Sequence, residues 1–430
     1  MSKSNSSWPR VLALVVALAL VGGGVGAAIT LSSSPPGAAS PSAAVGDLLG
    51  AADHVDLLGV LDAIVPGERQ VIEPGITGLA HQFERLTILS SGTNLAAISG
   101  LGLHFSGITT TTQALSSDLV AVTITSGRVT ESVNPSKLPV GSFVSSLAGS
   151  SLQGGERSAT TAIKSEASTP IVTEKVGGRW YVSLGYTIIV DALKAKGGTG
   201  APPSATSAIR PSGGNSADDA VRAFISDVTA FNVSGVLADL APGEMGALQT
   251  YAPEILGRAQ SELEKARSEV HLKITSMMLS DSPVTGGTLV KVGDLGLSAS
   301  VRGITIGIKG GCVSVTTPAG TTNRCPSSAA KPGEEQRILS VLPPSLRPLT
   351  SRLFTMHPAI GIVAVNQDGA WFVSPTATVF YDIDAALSIL QPQDLRAIAT
   401  LARHPAEARA LERALERLAS SSVTNGGGLF

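Results

Sequence analysis

The sequence predicts an α+β chain in which one unit is written twice, and three observations carry that reading. AVGDLLGAADHVDLLGVLDAIVPGE (Ala44–Glu68) aligns without a gap to AVRAFISDVTAFNVSGVLADLAPGE (Ala220–Glu244). GGRWYVSLGYTIIVDAL (Gly177–Leu193) is echoed by DGAWFVSPTATVFYDIDAAL (Asp368–Leu387), so two of the three tryptophans share a phrase. Between these matches lie runs of alternating apolar and β-branched residues, the pattern of half-buried strands. Helices first and strands after point to helices packed on one curved antiparallel sheet in each copy.

The chain has 430 residues, beyond the roughly 250–300 at which a single core stops growing, so more than one domain is expected. Lys and Arg number 31 against 33 Asp and Glu, with no long charge run, which excludes the basic footprint of a nucleic-acid binder. Residues 1–10 hold Lys3 and Arg10. VLALVVALALVGGGVGAAITL (Val11–Leu31) follows, uncharged and about as long as the ~20 residues that cross a bilayer. Basic residues before it place the bulk of the chain outside the cell by the positive-inside rule. The Gly22–Gly24 interruption and the small residues after it leave both outcomes open: a single-pass anchor in the cell membrane, or a signal peptide cleaved to release a secreted protein.

Within the repeats, Val45, Leu48, Leu49 and Ala52 correspond to Val221, Phe224, Ile225 and Val228, each set at helical spacing. A second apolar set ends in Pro-Gly-Glu in both, read as a helix stop. Leu101-Gly102-Leu103 matches Leu295-Gly296-Leu297 downstream. Leu119–Val133, Ile171–Val190, Leu289–Val315 and Ile360–Tyr381 read as strand regions around turns. The bounds drawn are 32–42 for a first linker, 43–195 for the first unit and 196–218 for a Gly/Pro/Ser linker. The second unit is 219–391, and 392–430 is a C-terminal helix and tail, with Pro405–Leu418 helical. Linkers of this composition predict units on tethers with few shared contacts. The second copy is longer, mainly through Ile255–Ile274, read as a helix running into a strand, and a proline-bearing segment around Leu339–Leu349.

A helical stretch whose short run ends in Pro-Gly-Glu, then a meander whose late strand begins Gly-Gly-x-Trp-Tyr-Val-Ser or Asp-Gly-x-Trp-Phe-Val-Ser, resembles the NTF2-like, cone-shaped α+β domains of exported actinobacterial envelope proteins. The resemblance covers about Ala44–Leu193 and Ala220–Leu390 and implies two such domains in tandem behind an N-terminal transmembrane helix. It brings no catalytic residue with it.

The chemistry is sparse. Cys312 and Cys325 are the only cysteines, flank a Pro-Ala-Gly turn signal, and in an exported chain predict a disulfide across a hairpin, closing a loop worth about 3 kcal/mol. His54, His81, His104, His271, His357 and His404 form no HxH or HExxH spacing, so no metal site is expected. No nucleophile elbow, Walker loop or completed dinucleotide fingerprint occurs, and Gly100-Leu101-Gly102 stops short of one. Thr161-Ala162-Ile163-Lys164 mimics an S-x-x-K nucleophile motif without its companions. Asp382 and Asp384 read either as paired carboxylates or, better, as a helix boundary with Asp384 as cap, Asp191 standing at the same point in the first copy. Trp180, Tyr181, Trp371 and Phe372 are either core anchors or the lining of a ligand cavity.

The expected function is therefore non-enzymatic: a membrane-tethered extracytoplasmic protein, without cofactor, whose tandem domains engage an envelope partner or a small apolar ligand. Two rivals stay open, a hydrolase or isomerase using an ionisable residue inside a cone, and a spacer. The state of the cone interior discriminates them.

Overall fold

The computed structural model describes residues 37–164, 169–204, 207–257, 271–301, 304–309, 312–318, 320–324, 342–355 and 361–404, with a few isolated positions besides. The Val11–Leu31 segment and Cys325 lie outside them, as do most of Ile255–Ile274 beyond Gly257 and of Pro405–Leu418. Among the described residues no helix is long and apolar enough to cross a membrane.

Each copy opens with three helices. The first copy has α1 (Pro41–Asp53), α2 (Leu57–Asp62) and α3 (Pro66–Arg85). Ser40 Oγ accepts from the Ala43 amide at 3.2 Å and Asp56 from the Gly59 amide at 2.8 Å, each satisfying an orphan donor of the first helical turn. The turn between α1 and α2 holds Val55 at φ 52°, a left-handed conformation that a β-branched residue rarely adopts. Sheet strands follow: β1 (Leu101–Ala114), β2 (Leu119–Val133), β3 (Arg157–Lys164), β4 (Ile171–Val176) and β5 (Arg179–Val182), with the short helix α4 (Ser142–Ala148) before β3 and α5 (Leu184–Lys194) closing the copy.

The second copy has α6 (Ala217–Thr229), α7 (Val233–Ala238) and α8 (Pro242–Leu256), then β6 (His271–Val284), β7 (Gly287–Val301), β8 (Ile304–Lys309), β9 (Cys312–Thr317) and β10 (Gly320–Arg324). After α9 (Arg347–Thr355) come β11 (Gly361–Gln367), β12 (Ala370–Val373), α10 (Pro375–Ile389) and α11 (Pro392–Arg403). Its caps sit at the matching positions, Ser216 to Asp219 at 3.1 Å and Asn232 to Gly235 at 3.2 Å, and Phe231 repeats the left-handed turn at φ 53°.

All strand pairs within the two sheets are antiparallel, and each sheet curls because one long strand takes two partners along the same edge. Leu119–Val122 of β2 pairs with β4 while Ser126–Val133 pairs with β3; Thr288–Lys291 of β7 pairs with β11 while Leu297–Val301 pairs with β8. β9 and β10 extend the second sheet to seven strands against five. Trp180 and Trp371 occupy equivalent strands: Trp180 bridges Ala38 and Trp371 bridges Gly214, while Ile64 and Leu240 make matching parallel bridges to Val182 and Val373.

Four expectations about single elements are corrected. Pro-Gly-Glu starts a helix rather than stopping one: Pro66 and Pro242 sit in the first helical turn, where a proline loses no hydrogen bond. The strand regions expected to reach Val190 and Tyr381 end at Val182 and Val373, and Ser183 and Ser374 cap helices instead. Asp382, Asp384 and Asp191 consequently lie inside helices, cap nothing at a boundary, and Asp382 and Asp384 point from different sides of α10. Leu101–Leu103 opens β1 whereas Leu295–Leu297 lies late in β7, so that match joins strands that do not correspond.

The copies are not beads on tethers. α3 and α8 each pack one face on their own copy and the other on its sister. Val71 of α3 enters the core of Leu289, Val363, Val365 and Phe372, and Ala247 and Tyr251 of α8 enter that of Leu115, Leu119, Val172 and Val190. At the crossing, a Cβ on Gly67 would lie 2.5 Å from Gly243 Cα, so only glycines permit this approach. Even the expected linker is engaged: Tyr251 donates its hydroxyl to the Gly200 carbonyl at 2.7 Å, and Ile209 and Ser212 hydrogen-bond to Gln249 and Ala238.

Candidate binding cleft and the junction between copies

The first copy carries an open-sided cleft of about 450 Å³ between α1 and β1. Val45, Leu49, Phe105 and Ile108 wall it. Strand alternation would send residues 105 and 108 to opposite faces. A bulge between Ser106 and Thr109 restores the phase, with Gly107 at φ 60° and Ile108 swung over Gly127, so that Phe105, Ile108 and Thr110 line one surface.

Polar groups close the two ends. At one, Asp53 Oδ1 accepts from the Phe105 amide at 2.8 Å and lies 3.1 Å from His104 Nδ1. His104 is 67% exposed and Asp53 28%, so the imidazole stands in water on the rim and the carboxylate is mostly covered. At the other, Ser42 Oγ and Thr110 Oγ1 are 3.5 Å apart. The floor of α1 is opened by Gly46 and Gly50: a Cβ built on either meets nothing within 4 Å. Their counterparts in α6 are Arg222 and Ser226, and there Phe224 and Ile225 pack against the core of Val221, Val290 and Val373.

The repeated Pro-Gly-Glu acts elsewhere. Glu68 accepts from Ser183 Oγ at 2.7 Å and from the Leu184 and Gly185 amides at 2.8 and 2.9 Å, so a carboxylate caps α5 from inside the protein. Glu244 accepts from the Thr376 amide at 3.0 Å at the start of α10. A helix N-terminus favours the charged form, yet burial outweighs it at both and pushes both carboxyls up; Glu244 raises Glu68 further across the junction. Glu174 is pushed to about 7 by burial first, then by Glu68 and Asp118.

The aromatics of the repeated phrase lie away from the cleft. Tyr181 and Phe372 are 6% and 5% exposed and belong to the core. Trp371 packs against the core of Val221 and Leu240. Trp180 is half-buried beside Gly37, Ala38 and Ala44 at a smaller hollow of about 130 Å³, with Lys175 Nζ 5.8 Å from its ring centroid. Thr161 and Lys164 sit on β3, three apart in a strand and so on opposite faces. His54 Nδ1 meets the Gly50 carbonyl at 2.8 Å, and among the described residues no group of three or more His, Cys, Asp or Glu is placed to hold a metal.

Cys312 opens β9, paired in register with β10 through Val313–Arg324. Cys325, and with it the expected disulfide, lies outside the described residues.

Sequence reasoning missed the cleft because its makers are absences: two glycines inside a helix and a one-residue bulge. The available signal was comparison of the copies, where Gly46 and Gly50 face Arg222 and Ser226. Fold and site define an α+β protein with curled antiparallel sheets and an open, largely apolar cleft between α1 and β1. No family model, curated protein or solved structure matches the chain.

Proposed function

We propose that this is a membrane-tethered extracytoplasmic binding protein of two NTF2-like units, the first of which holds a small apolar ligand in the α1–β1 cleft. The observation that carries the reading is the cleft itself. Its volume of about 450 Å³ falls in the ~300–1,000 Å³ range of small-molecule sites, with apolar walls and polar groups only at its ends. Two solvent-facing helical glycines keep it open, each at a cost of about 1 kcal/mol relative to alanine. A spacer has no use for that cost.

A catalytic reading of the same cleft rests on the Asp53–His104 pair. Of the two only Asp53 is among the residues lining the cleft, while the His104 imidazole stands outside it, so binding without turnover is the function we adopt. Titration of the full chain with a neutral apolar fluorophore such as N-phenyl-1-naphthylamine tests it. Saturable enhancement lost in the Gly46→Leu and Gly50→Leu variants is the expected result; equal enhancement in wild type and variants would remove the cleft from the function.

A further inference from the structure

The two faces where the copies meet correspond through the repeat, and they are filled differently. Because α3 and α8 both begin at Pro-Gly-Glu, their positions can be counted in step. In α8 the ring of Tyr251 is fully buried and lies edge-on to Tyr186 with centroids 6.2 Å apart, and Glu254 follows one turn later. The same positions of α3 are Gly75, against which the Phe380 ring packs so closely that a Cβ would lie 2.2 Å from it, and Gly78. There a pocket of about 260 Å³ opens between α3, the β6–β7 turn and α10, walled by Val71, Pro74, Val284, Phe380, Tyr381 and Asp384.

A side chain at Gly78 would fit, since a Cβ there meets only Asp384 Oδ1, at 3.8 Å. The glycine thus weakens α3 without a packing reason, as Gly46 and Gly50 weaken α1. The chemistry of the walls is specific. Asp384 Oδ1 accepts from Gln82 Nε2 at 3.0 Å, and among the described residues the carboxylate has no ion-pair partner. Arg85, one turn beyond Gln82, is committed: its guanidinium donates to the Leu387 and Leu390 carbonyls and to Gln82 Oε1 at 2.7–2.8 Å. Among the described residues no Lys, Arg or His lines the pocket.

We infer that this pocket is a second small-molecule site, for an organic amine with a small aromatic or cyclic body. Its ammonium answers the unpaired Asp384 carboxylate, and its body lies against Phe380, Tyr381 and Val71. An anionic ligand would bring a second negative charge beside Asp384 with no cation to offset it. The site shares no residue with the α1–β1 cleft and stands whether or not the cleft binds a ligand.

The test uses the full chain with benzylamine, benzyl alcohol and benzoate, read by saturation-transfer NMR and calorimetry. Benzylamine is expected to bind saturably near about 1 mM, typical of so few heavy atoms, with benzyl alcohol weaker by about tenfold and benzoate not bound. Asp384→Asn keeps an acceptor for Gln82 and should weaken benzylamine about tenfold. Gly78→Leu should abolish binding, while Gly46→Leu and Gly50→Leu leave it unchanged. Should Gly78→Leu fail to fold, Asp384→Asn and the milder Gly78→Ala decide the matter. Equal affinity for benzyl alcohol, benzylamine binding that survives Gly78→Leu or is untouched by Asp384→Asn, or no saturable binding at all, would each overturn the assignment.

Discussion

Replacing Gly46 and Gly50 together by alanine should make the protein more stable and its cleft worse. Inside a helix, glycine is less favourable than alanine by about 0.8–1.0 kcal/mol, from backbone entropy alone. No atom stands within 4 Å of a Cβ built at either position, so no clash offsets the gain. The double variant is therefore expected to gain about 1.5–2 kcal/mol. At about 2–4 °C per kcal/mol for a unit of 150–250 residues, and less for a longer cooperative unit, Tm should rise by a few degrees. Urea unfolding followed by far-UV circular dichroism reads the gain as a higher midpoint at unchanged slope. Two methyl groups also narrow the cleft, so N-phenyl-1-naphthylamine should bind the same variant more weakly. The reverse exchange in the sister helix, Arg222→Gly with Ser226→Gly, should cost a similar amount, both side chains being exposed. A double alanine variant no more stable than wild type would show that the open side of α1 is occupied by something other than solvent, and the case for the cleft would fall with it.

The buried carboxyls set a pH dependence: Glu68 and Glu244 are raised, and Glu174 and Asp239 are each pushed to about 7, all by burial first. A raised folded pKa stabilises the protein below the unfolded value and loses that contribution as pH climbs through the folded one. The urea midpoint should therefore fall between about pH 5 and 8, a rise over that interval would contradict the burial argument, and Glu68→Gln should flatten the curve. Tyr251→Ala, which removes a fully buried ring from the sister copy's core, should cost about 3–5 kcal/mol and more than Trp180→Ala at a half-buried position. Calorimetry of wild type and both variants should show one transition, because the copies share cores; two separable transitions would refute the shared packing. Cys312 and Cys325 should resist thiol labelling in the non-reduced protein and react after reduction, whereas labelling of both without reductant would sink the hairpin disulfide.

How much was legible depended on whether a residue acts by being present. The first helices of both copies were readable because Val45, Leu49, Val221 and Ile225 repeat at helical spacing and turn one face to the core, where Val45 and Val221 are fully buried. The Trp-Tyr-Val and Trp-Phe-Val strands were readable as a repeated phrase. The helices after them were not, because Thr187, Ile188, Ile189 and Val190 favour strands locally. Tertiary packing overrides that preference once Ser183 caps the helix and Thr187 Oγ1 accepts from the Val172 amide at 2.9 Å; Thr378 and Val363 repeat the bond at 2.9 Å. The Pro-Gly-Glu triplet was misread for a related reason. Proline before glycine marks a boundary without saying which side is helical, and the deciding fact, a carboxylate reaching a distant helix terminus, is invisible in a linear chain. The linker between copies looked free by composition, but its backbone is held through Gly200, Ile209 and Ser212, whose partners lie dozens of residues away.

Gly67 and Gly243 meet almost symmetrically. A Cβ on Gly67 would fall 2.5 Å from the other glycine's Cα, and one on Gly243 2.8 Å from its counterpart, nearly the same in both directions. In a homodimer with a two-fold axis, a residue on the axis meets its own copy in just this way. The arrangement is that of an internal pseudo-two-fold, with Gly67 and Gly243 meeting where its axis would pass. A homodimer comes apart on dilution, whereas two copies in one chain keep each other at a fixed effective concentration. Within one chain, a substitution on one side of the axis need not appear on the other. One half carries glycine at residues 46, 50, 75 and 78 where the other carries Arg222, Ser226, Tyr251 and Glu254.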